Sequence, residues 1–341
     1  MSSVNEIAFG TSLAAVSKGS SIRVYALDVN GGIREIKYEG KWSGGTSSNV
    51  LAKGRIGSPL AAASLGLDHI RIYYLDADCN IQEKCWDGKG WYDGSLGDAG
   101  FKVAPYSGGL SVIYLDGKSD VIRVYGQVED EKIQEFKCNV TVPASRDLVT
   151  SLDDGGKGWQ KGHTFDKALP GSSIAATTWS STLTHIRPFM ALELVPLFHC
   201  ANNSSIAVYA EANFQLSVYY QTENLNITEV AWDGFSWNNS GFSIPDQPPR
   251  SAVAVTSWYK EYSVNIRLFY AAAACMFKEK EFSGGWFDGG FGEESVAGSC
   301  VAVIVADTLR TYVQVGNLTS GITEFAWSDG WVTSKDVLPP A

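Results

Sequence analysis

One pattern occurs six times in this sequence of 341 residues, and it limits the possible folds more than any other feature. Each copy has a β-like run with an Arg, or its replacement, near the start, then a turn and a second run that carries a Glu. The copies are SIRVYALDVNGGIREIKY, HIRIYYLDADCNIQEKCW, VIRVYGQVEDEKIQEFKC, QLSVYYQTENLNITEVAW, NIRLFYAAAACMFKEKEF and LRTYVQVGNLTSGITEFAW. A repeat at such a period is one supersecondary unit that buries its apolar surface against its neighbours.

A run of small apolar residues precedes each copy, and a segment that starts with Trp follows it. These tryptophans are Trp42, Trp91, Trp159, Trp237, Trp286 and Trp331. A unit therefore has three β runs and a weaker fourth, separated by turns rich in Gly, Asn and Asp. A unit of four short strands that repeats every 40 to 50 residues or so is typical of a β-propeller, in which each unit forms one blade. We predict an all-β fold, a six-bladed β-propeller of short antiparallel four-stranded blades, as a single domain over residues 1–341.

The third and fourth copies are farther apart than the others. The anchor positions 23, 71, 123, 217, 267 and 310 give steps of 48, 52, 94, 50 and 43 residues. The long step holds a shorter excursion between Glu135 and Trp159 and a second one at about 180–214. In the second, Arg187 resembles an anchor, but Pro188 interrupts the strand pattern. We interpret 180–214 as an atypical insertion, although an unspliced stretch of coding sequence would give the same pattern.

Composition and charge exclude several classes of function. The chain has 27 Lys and Arg against 37 Asp and Glu, a net charge of −10, and no basic cluster. Nucleic-acid binding needs such a cluster, so we expect no nucleic-acid partner. The apolar runs are too short to span a bilayer, so we expect no membrane insertion. Six cysteines without a CxxC pair and only four histidines give no zinc signature, so we predict no metal and no cofactor.

The Arg and Glu of a copy are 12 residues apart in four copies and 14 apart in the sixth. Positions placed symmetrically about a hairpin turn lie opposite each other, so we expect each Arg and Glu to be direct cross-strand partners. A surface salt bridge inherited by duplication explains the repetition poorly, because such pairs stabilise a protein by about 0–1 kcal/mol. A guanidinium that donates hydrogen bonds beside a carboxylate that accepts them suits a hydroxyl-rich ligand.

Aromatic residues recur beside each of these pairs. Core packing is the more common role of a lone Trp in a propeller. Paired aromatics beside a polar clamp instead favour a sugar site, because an aromatic face packs on the C–H face of a sugar and an indole N–H can donate to a hydroxyl. The residues three positions after each Glu are Tyr38, Trp86, Cys138, Trp232, Phe282 and Trp327.

These residues resemble the fungal fucose-binding lectins of the Aleuria aurantia type, including the Aspergillus members. The resemblance rests on IRVY…GGIRE, CWDGKGWYDG, GSPLAA and the closing LPPA, and it covers nearly the whole chain apart from 180–214. It implies a propeller that binds L-fucose between adjacent blades, without metal and usually as a homodimer. Fucosylated glycans and glycoproteins are the implied partners.

The resemblance also implies that the Arg and Glu of one blade face the aromatic pair of the next. The pockets, in order, would combine Arg23 and Glu35 with Trp86 and Trp91; Arg71 and Glu83 with Cys138 and Trp159; Arg123 and Glu135 with Trp232 and Trp237; Glu229 with Phe282 and Trp286; Arg267 and Glu279 with Trp327 and Trp331; and Arg310 and Glu324 with Tyr38 and Trp42.

Two of these pockets depart from the pattern. In the second, Cys138 thins the stacking wall. In the fourth, Ser217 replaces the Arg. Loss of a charge-assisted donor costs about 1.5–3 kcal/mol, so we expect the fourth pocket to be weak or silent and the second and sixth to be intermediate.

Two other functions are compatible with a propeller. Sialidases carry an S-x-D-x-G-x-T-W turn, which SLDDGGKGW (151–159) approaches once, without the Thr and with its Trp one residue late. A glycoside hydrolase also needs two carboxylates flanking one bond, whereas this chain has one Glu per blade, beside an Arg that keeps it ionised. A WD-repeat interaction propeller needs a Gly-His partner that is missing here. We therefore expect a binding protein and not an enzyme.

The first residues have no basic region followed by an apolar one, so we expect no conventional signal peptide. The remaining locations are the cytoplasm, the cell or spore surface, and release by an unconventional route.

Overall fold

The computed structural model describes residues 6–115, 121–139, 158–180, 214–260, 263–316 and 321–340. Their strands form six antiparallel sheets, and the strands of each sheet follow one another along the chain. The tryptophans that the sequence placed at the start of each fourth run do begin the fourth strand of all six sheets. The predicted fold, an all-β six-bladed propeller of four-stranded blades, is confirmed.

Of the first three blades, only blade 1 has its outer strand divided in two. Blade 1 contains β1 (Leu13–Lys18), β2 (Ser21–Leu27), β3 (Gly32–Tyr38), β4 (Trp42–Gly44) and β5 (Val50–Lys53), with β4 and β5 both paired to β3. Blade 2 contains β6 (Ala61–Leu65), β7 (His69–Leu75), β8 (Ile81–Trp86) and β9 (Trp91–Asp93). Blade 3 contains β10 (Leu110–Tyr114), β11 (Val121–Gln127), β12 (Lys132–Asn139) and β13 (Trp159–Lys167).

The last three blades have four strands each. Blade 4 contains β14 (Ile174–Ser180), β15 (Phe214–Gln221), β16 (Ile227–Trp232) and β17 (Trp237–Ile244). Blade 5 contains β18 (Val253–Lys260), β19 (Ser263–Ala272), β20 (Met276–Ser283) and β21 (Trp286–Glu294). Blade 6 contains β22 (Val301–Val305), β23 (Leu309–Val313), β24 (Ile322–Trp327) and β25 (Trp331–Leu338). The described helices are short 3-10 turns such as Gly97–Ala99 and Ala273–Cys275, and none of them could cross a membrane.

The first strand of each blade lies at the centre of the ring. Strands β1, β6, β10, β14, β18 and β22 contact one another in that cyclic order. Residues such as Ala14, Ala61 and Ala175 line the cavity that they enclose. The small-residue runs of the sequence form these strands, because six backbones converge there and leave little room for side chains.

The apolar core lies between the blades, and the last interface closes the ring. Tyr312 and Leu338 of blade 6 pack in one buried cluster with Trp42 of blade 1. The Gly10 backbone N–H also donates to the Gln314 side-chain oxygen at 2.8 Å. Closure of this kind leaves the two end blades without a free apolar face.

The hairpin of β14 and β15 marks the ends of the predicted insertion. Its last pair is Ser180 and Phe214, so the chain leaves and re-enters blade 4 at adjacent positions. Residues 181–213 lie outside the described part of the structure, as do residues 140–157 of the shorter excursion. The insertion therefore stays a prediction.

Candidate binding pockets between the blades

The Arg and Glu of each blade lie on one face of the sheet, but they are not direct partners. In blade 1, Arg23 is paired with Lys37, and Glu35 is paired with Tyr25. The prediction of direct opposition is therefore wrong, because the hairpin is centred on position 30 and not on position 29, midway between Arg23 and Glu35. Every blade has this offset, which makes the two residues diagonal neighbours, still within reach of long side chains.

Five blades bring the two charges together across this diagonal. The glutamate side chains in them are only 3–7% exposed, so these are buried pairs and not surface salt bridges. Removing one partner of such a pair leaves an uncompensated buried charge, so substitution of either residue alone should destabilise the fold. The shortest N–O distances are 4.0 Å for Arg23–Glu35, 3.7 Å for Arg71–Glu83, 3.4 Å for Arg123–Glu135, 3.1 Å for Arg267–Glu279 and 2.7 Å for Arg310–Glu324.

A buried aromatic residue that the sequence analysis did not assign lies opposite each Glu. It stands two positions after the Arg and is Tyr in five blades and Phe269 in blade 5. Burial first, and then the adjacent carboxylate, raise the pKa of these phenols well above the ordinary value, so they stay protonated and donate. The O–O distances are 3.2 Å for Tyr25–Glu35, 2.7 Å for Tyr73–Glu83, 3.3 Å for Tyr125–Glu135, 2.5 Å for Tyr219–Glu229 and 3.0 Å for Tyr312–Glu324.

In three blades a glycine on the fourth strand, or directly after it, leaves room for the carboxylate. A Cβ added at Gly94 or Gly162 would lie 2.2 or 2.0 Å from a carboxylate oxygen of Glu83 or Glu135. At Gly289 it would lie 2.4 Å from the Glu279 side chain. The sequence has a small residue three positions after each fourth-strand Trp, namely Gly45, Gly94, Gly162, Ser240, Gly289 and Ser334, and a Cβ at Gly45 would meet Pro339 and Ile36 in place of the Glu.

The aromatic pairs of the sequence are direct cross-strand neighbours. Their ring centroids lie 5.1–5.7 Å apart, so each pair forms one continuous apolar wall. In blade 3 the partner of Trp159 is Cys138, which leaves that wall thinner, as expected. The pairs are Tyr38–Trp42, Trp86–Trp91, Trp232–Trp237, Phe282–Trp286 and Trp327–Trp331.

Each wall belongs to the pocket of the preceding blade. In the third pocket, Phe165 lies between Tyr125 and Trp237. In the fifth, the Trp331 indole N–H also donates to Glu279 Oε2 at 3.1 Å. The direct ring contacts across the interfaces are Tyr25–Trp91 and Tyr219–Trp286 at 6.3 Å, Tyr73–Trp159 at 6.2 Å, Phe269–Trp331 at 5.6 Å and Tyr312–Trp42 at 6.3 Å.

The fourth pocket lacks the cation. Ser217 is fully buried at the Arg position, and Glu229 is held by Tyr219. Within the described ranges, no three His, Cys, Asp or Glu side chains converge in a way that could hold a metal ion. The pockets therefore combine hydrogen-bond donors, acceptors and aromatic faces at one interface.

The model of the fungal fucose-specific lectin family matches residues 7–195 and 197–341. The chain belongs to this family. Among curated relatives, the fucose-specific lectin of Aspergillus fumigatus is 32% identical over 98% of both chains. That of Aleuria aurantia is 30% identical over 82% of this chain and 78% of its own length. The predicted resemblance is confirmed, and so is the expectation that this lectin is a binding protein and not an enzyme.

Solved structures show the same architecture. The SapL1 lectin in complex with alpha methyl fucoside is 40% identical over the whole of both chains, with a TM-score of 0.81. The Aleuria aurantia lectin, described as a six-bladed β-propeller, is 25% identical over 98% of this chain and 97% of its own, with a TM-score of 0.74.

Proposed function

We propose that this lectin binds L-fucose and fucosylated glycans, including those of glycoproteins, in pockets between adjacent blades. One observation carries the proposal: a buried Arg–Glu pair faces an aromatic wall of the next blade, and this arrangement repeats around the ring. The names of the relatives and the ligand of the SapL1 structure support fucose as the sugar.

The chemistry of the pocket fits a 6-deoxy sugar. The carboxylate accepts hydrogen bonds from sugar hydroxyls, and the guanidinium donates to their oxygens. The aromatic pair packs on the C–H face of the sugar and on its methyl group, which needs no hydrogen-bond partner. The phenol below the carboxylate holds one carboxylate oxygen in place before the sugar binds. The site is therefore partly preorganised, and less conformational entropy is lost on binding.

The first, third and fifth pockets have both charges and an aromatic pair, so we expect them to bind. The sixth, which combines both charges with Tyr38 and Trp42, we expect to be intermediate. The fourth lacks the Arg and should be weak or silent. Several modest sites on one rigid ring raise avidity at a glycan-covered surface by about 10²–10⁴. A homodimer, which the resemblance implies, would double the number of sites, and sedimentation equilibrium would measure it.

Titration calorimetry with methyl α-L-fucoside in the presence of EDTA tests the proposal. We expect saturable heat from three to five sites per chain. Methyl α-L-galactoside is the matched control. It has a CH2OH group where fucose has a methyl group, and it should bind more weakly. Heat equal to that of dilution for the fucoside at millimolar concentration would falsify the proposal.

A further inference from the structure

A row of four side chains crosses each blade on the face that meets the preceding blade. In blade 2 the row runs from the inner to the outer strand as Ser64, Ile70, Trp86 and Trp91. The aromatic residues thus lie on the two outer strands, and the inner strand leaves the pocket open. In five blades the inner position holds Ser, Thr or Val, namely Ser17, Ser64, Thr178, Ser257 and Val305.

Blade 3 has the opposite order of sizes. Its row is Tyr114, Ile122, Cys138 and Trp159, so the large ring is on the inner strand and the small side chain is on the third. Tyr114, Cys138 and Trp159 are all buried in the apolar cluster between blades 2 and 3. The aromatic residue missing from the wall of the second pocket is therefore present two strands closer to the axis.

Tyr114 packs in the same buried cluster as Tyr73, the phenol of blade 2 that donates to Glu83 at 2.7 Å. Burial raises the pKa of the Tyr114 phenol, and the nearby Arg71 guanidinium acts to lower it, while the Glu83 carboxylate adds to the rise. The hydroxyl oxygen is buried and has no hydrogen-bond partner within the part of the chain that the structure describes. Because the Tyr114 hydroxyl oxygen is buried, a bound sugar could reach it only if the Tyr114 ring moved.

Arg71 is covered more completely than the equivalent residue of the next blade. Its side chain is 5% exposed, whereas that of Arg123 is 13% exposed. Each guanidinium group donates through Nη1 to two backbone carbonyls of its own blade. The two carbonyls are at equivalent positions in both blades, and the distances are nearly equal. The facing blades differ at the inner position of the row, where blade 3 has Tyr114 on the side of Arg71 and blade 4 has Thr178 on the side of Arg123.

We infer that Tyr114 fills the second pocket from the inner strand and closes it to the sugar. This inference rests on the proposed function, and it assigns the weakness of the second pocket to a different cause. The pocket does not fail because Cys138 gives it a thin wall. It fails because the space above Arg71 and Glu83 is already occupied.

Single substitutions separate the two causes by the number of sites in a calorimetric titration with methyl α-L-fucoside. Tyr114→Ser, which installs the residue of blade 2, should raise the stoichiometry by one site per chain. Tyr114→Phe keeps the ring and should leave the stoichiometry unchanged. Cys138→Trp restores the wall but not the space, so it should add no site. A new site with Cys138→Trp and none with Tyr114→Ser would overturn the closure.

A second variant makes the test independent of how well the Tyr114 variants fold. Ser64→Tyr places the same ring in the first pocket and should remove one site, and thermal unfolding would verify that the variant is folded. If the unmodified lectin binds normally but neither Tyr114→Ser nor Ser64→Tyr changes the stoichiometry, the closure is overturned and the proposed function is not. Absence of any binding by the unmodified lectin would overturn the proposed function and the closure with it.

Discussion

The fourth and fifth pockets lie on either side of blade 5, and each has lost a different half of one arrangement. In the fourth, Ser217 replaces the Arg, but Tyr219 still donates to Glu229 at 2.5 Å. In the fifth, Phe269 replaces the Tyr, but Arg267 lies 3.1 Å from Glu279. Both glutamates remain buried.

This comparison separates two tasks that the other pockets combine. A carboxylate can be held by a phenol from its own sheet or, as in the fifth pocket, by Arg267, the Trp331 indole and the Phe291 backbone N–H. Holding the carboxylate therefore does not require the Arg. Supplying charged donors to a ligand does, and for this reason we expect the two pockets to differ in binding although both keep the Glu.

The largest effect should follow from giving the fifth pocket the defect of the fourth. Arg267→Ser removes a charge-assisted donor, which costs about 1.5–3 kcal/mol, so the affinity of that pocket should fall by roughly 10- to 100-fold. Calorimetry should show one site fewer. Thermal unfolding should also show lower stability, because the buried Glu279 then keeps only the neutral donors Trp331 and Phe291, and Phe269 has no hydroxyl to add.

The double variant Arg267→Ser, Phe269→Tyr is the control for this prediction. The added phenol should restore stability, as Tyr219 does in blade 4, without restoring the lost site. If Arg267→Ser alone kept all its sites, the two tasks would not be separate.

A methyl group on the fourth strand should disturb the fifth pocket but not the fourth. Gly289→Ala would place a Cβ 2.4 Å from Glu279 Cγ, so the carboxylate must shift. Overpacking of this kind costs about 1–3 kcal/mol, and both stability and the affinity of that pocket should fall. At the equivalent position of blade 4 a Cβ is already present, so Ser240→Ala loses only the hydrogen bond that the Phe242 N–H donates to the Ser240 hydroxyl at 3.2 Å, and it should lower stability less and leave affinity unchanged. Equal effects of the two substitutions would contradict the assignment of these positions.

The reverse exchange should improve the fourth pocket. Ser217→Arg returns the missing donors beside Glu229, and we expect its affinity to rise by roughly tenfold, the equivalent of about 1.4 kcal/mol. Calorimetry would report one additional site. Ser217→Lys is the matched control, because an ammonium lacks the planar fork of the guanidinium and should recover less. An equal gain from Lys would mean that charge alone matters there.

The smallest expected effect is a pH dependence of the fifth pocket. Burial raises the pKa of Glu279 above its ordinary value of 4.5, against the opposing hydrogen bonds of Trp331 and Phe291 and the charge of Arg267. As the pH falls through this raised pKa, Glu279 is protonated and accepts fewer hydrogen bonds, so the affinity of this pocket should decrease. The same protonation favours the folded state, because the unfolded chain keeps the lower pKa, so the stability contributed by this group should increase as affinity decreases.

Titrations from neutral pH down to the ordinary glutamate pKa, with unfolding measured in parallel, would test both directions. Phe269→Tyr adds a donor to the carboxylate and should move the loss of affinity to lower pH. Affinity and stability that fall together would contradict the assigned sign.

Much of the fold could be predicted because each repeat carries its own local signals. Turn residues, alternating apolar positions and the Trp at the start of each fourth strand recur in every unit, and the number of copies equals the number of blades. The resemblance correctly indicated the family, and the structure places the Arg, Glu and Trp of its implied pockets at shared interfaces. The tyrosine below the Glu stands in the sequence as the spacing R-x-Y in four blades, but that spacing does not reveal its role.

The sequence by itself determined the strands, the six blades and the residue types at each pocket, because these depend on periodicity within a repeat. The tertiary structure decided the rest. The hairpin is centred one residue farther along the chain than symmetry implied, so the pairing is shifted by two residues and Tyr25, not Arg23, lies opposite Glu35. The approach of Tyr114 to Arg71 joins two different blades. No spacing within one repeat encodes such a contact, because it depends on how neighbouring faces fill the space between them.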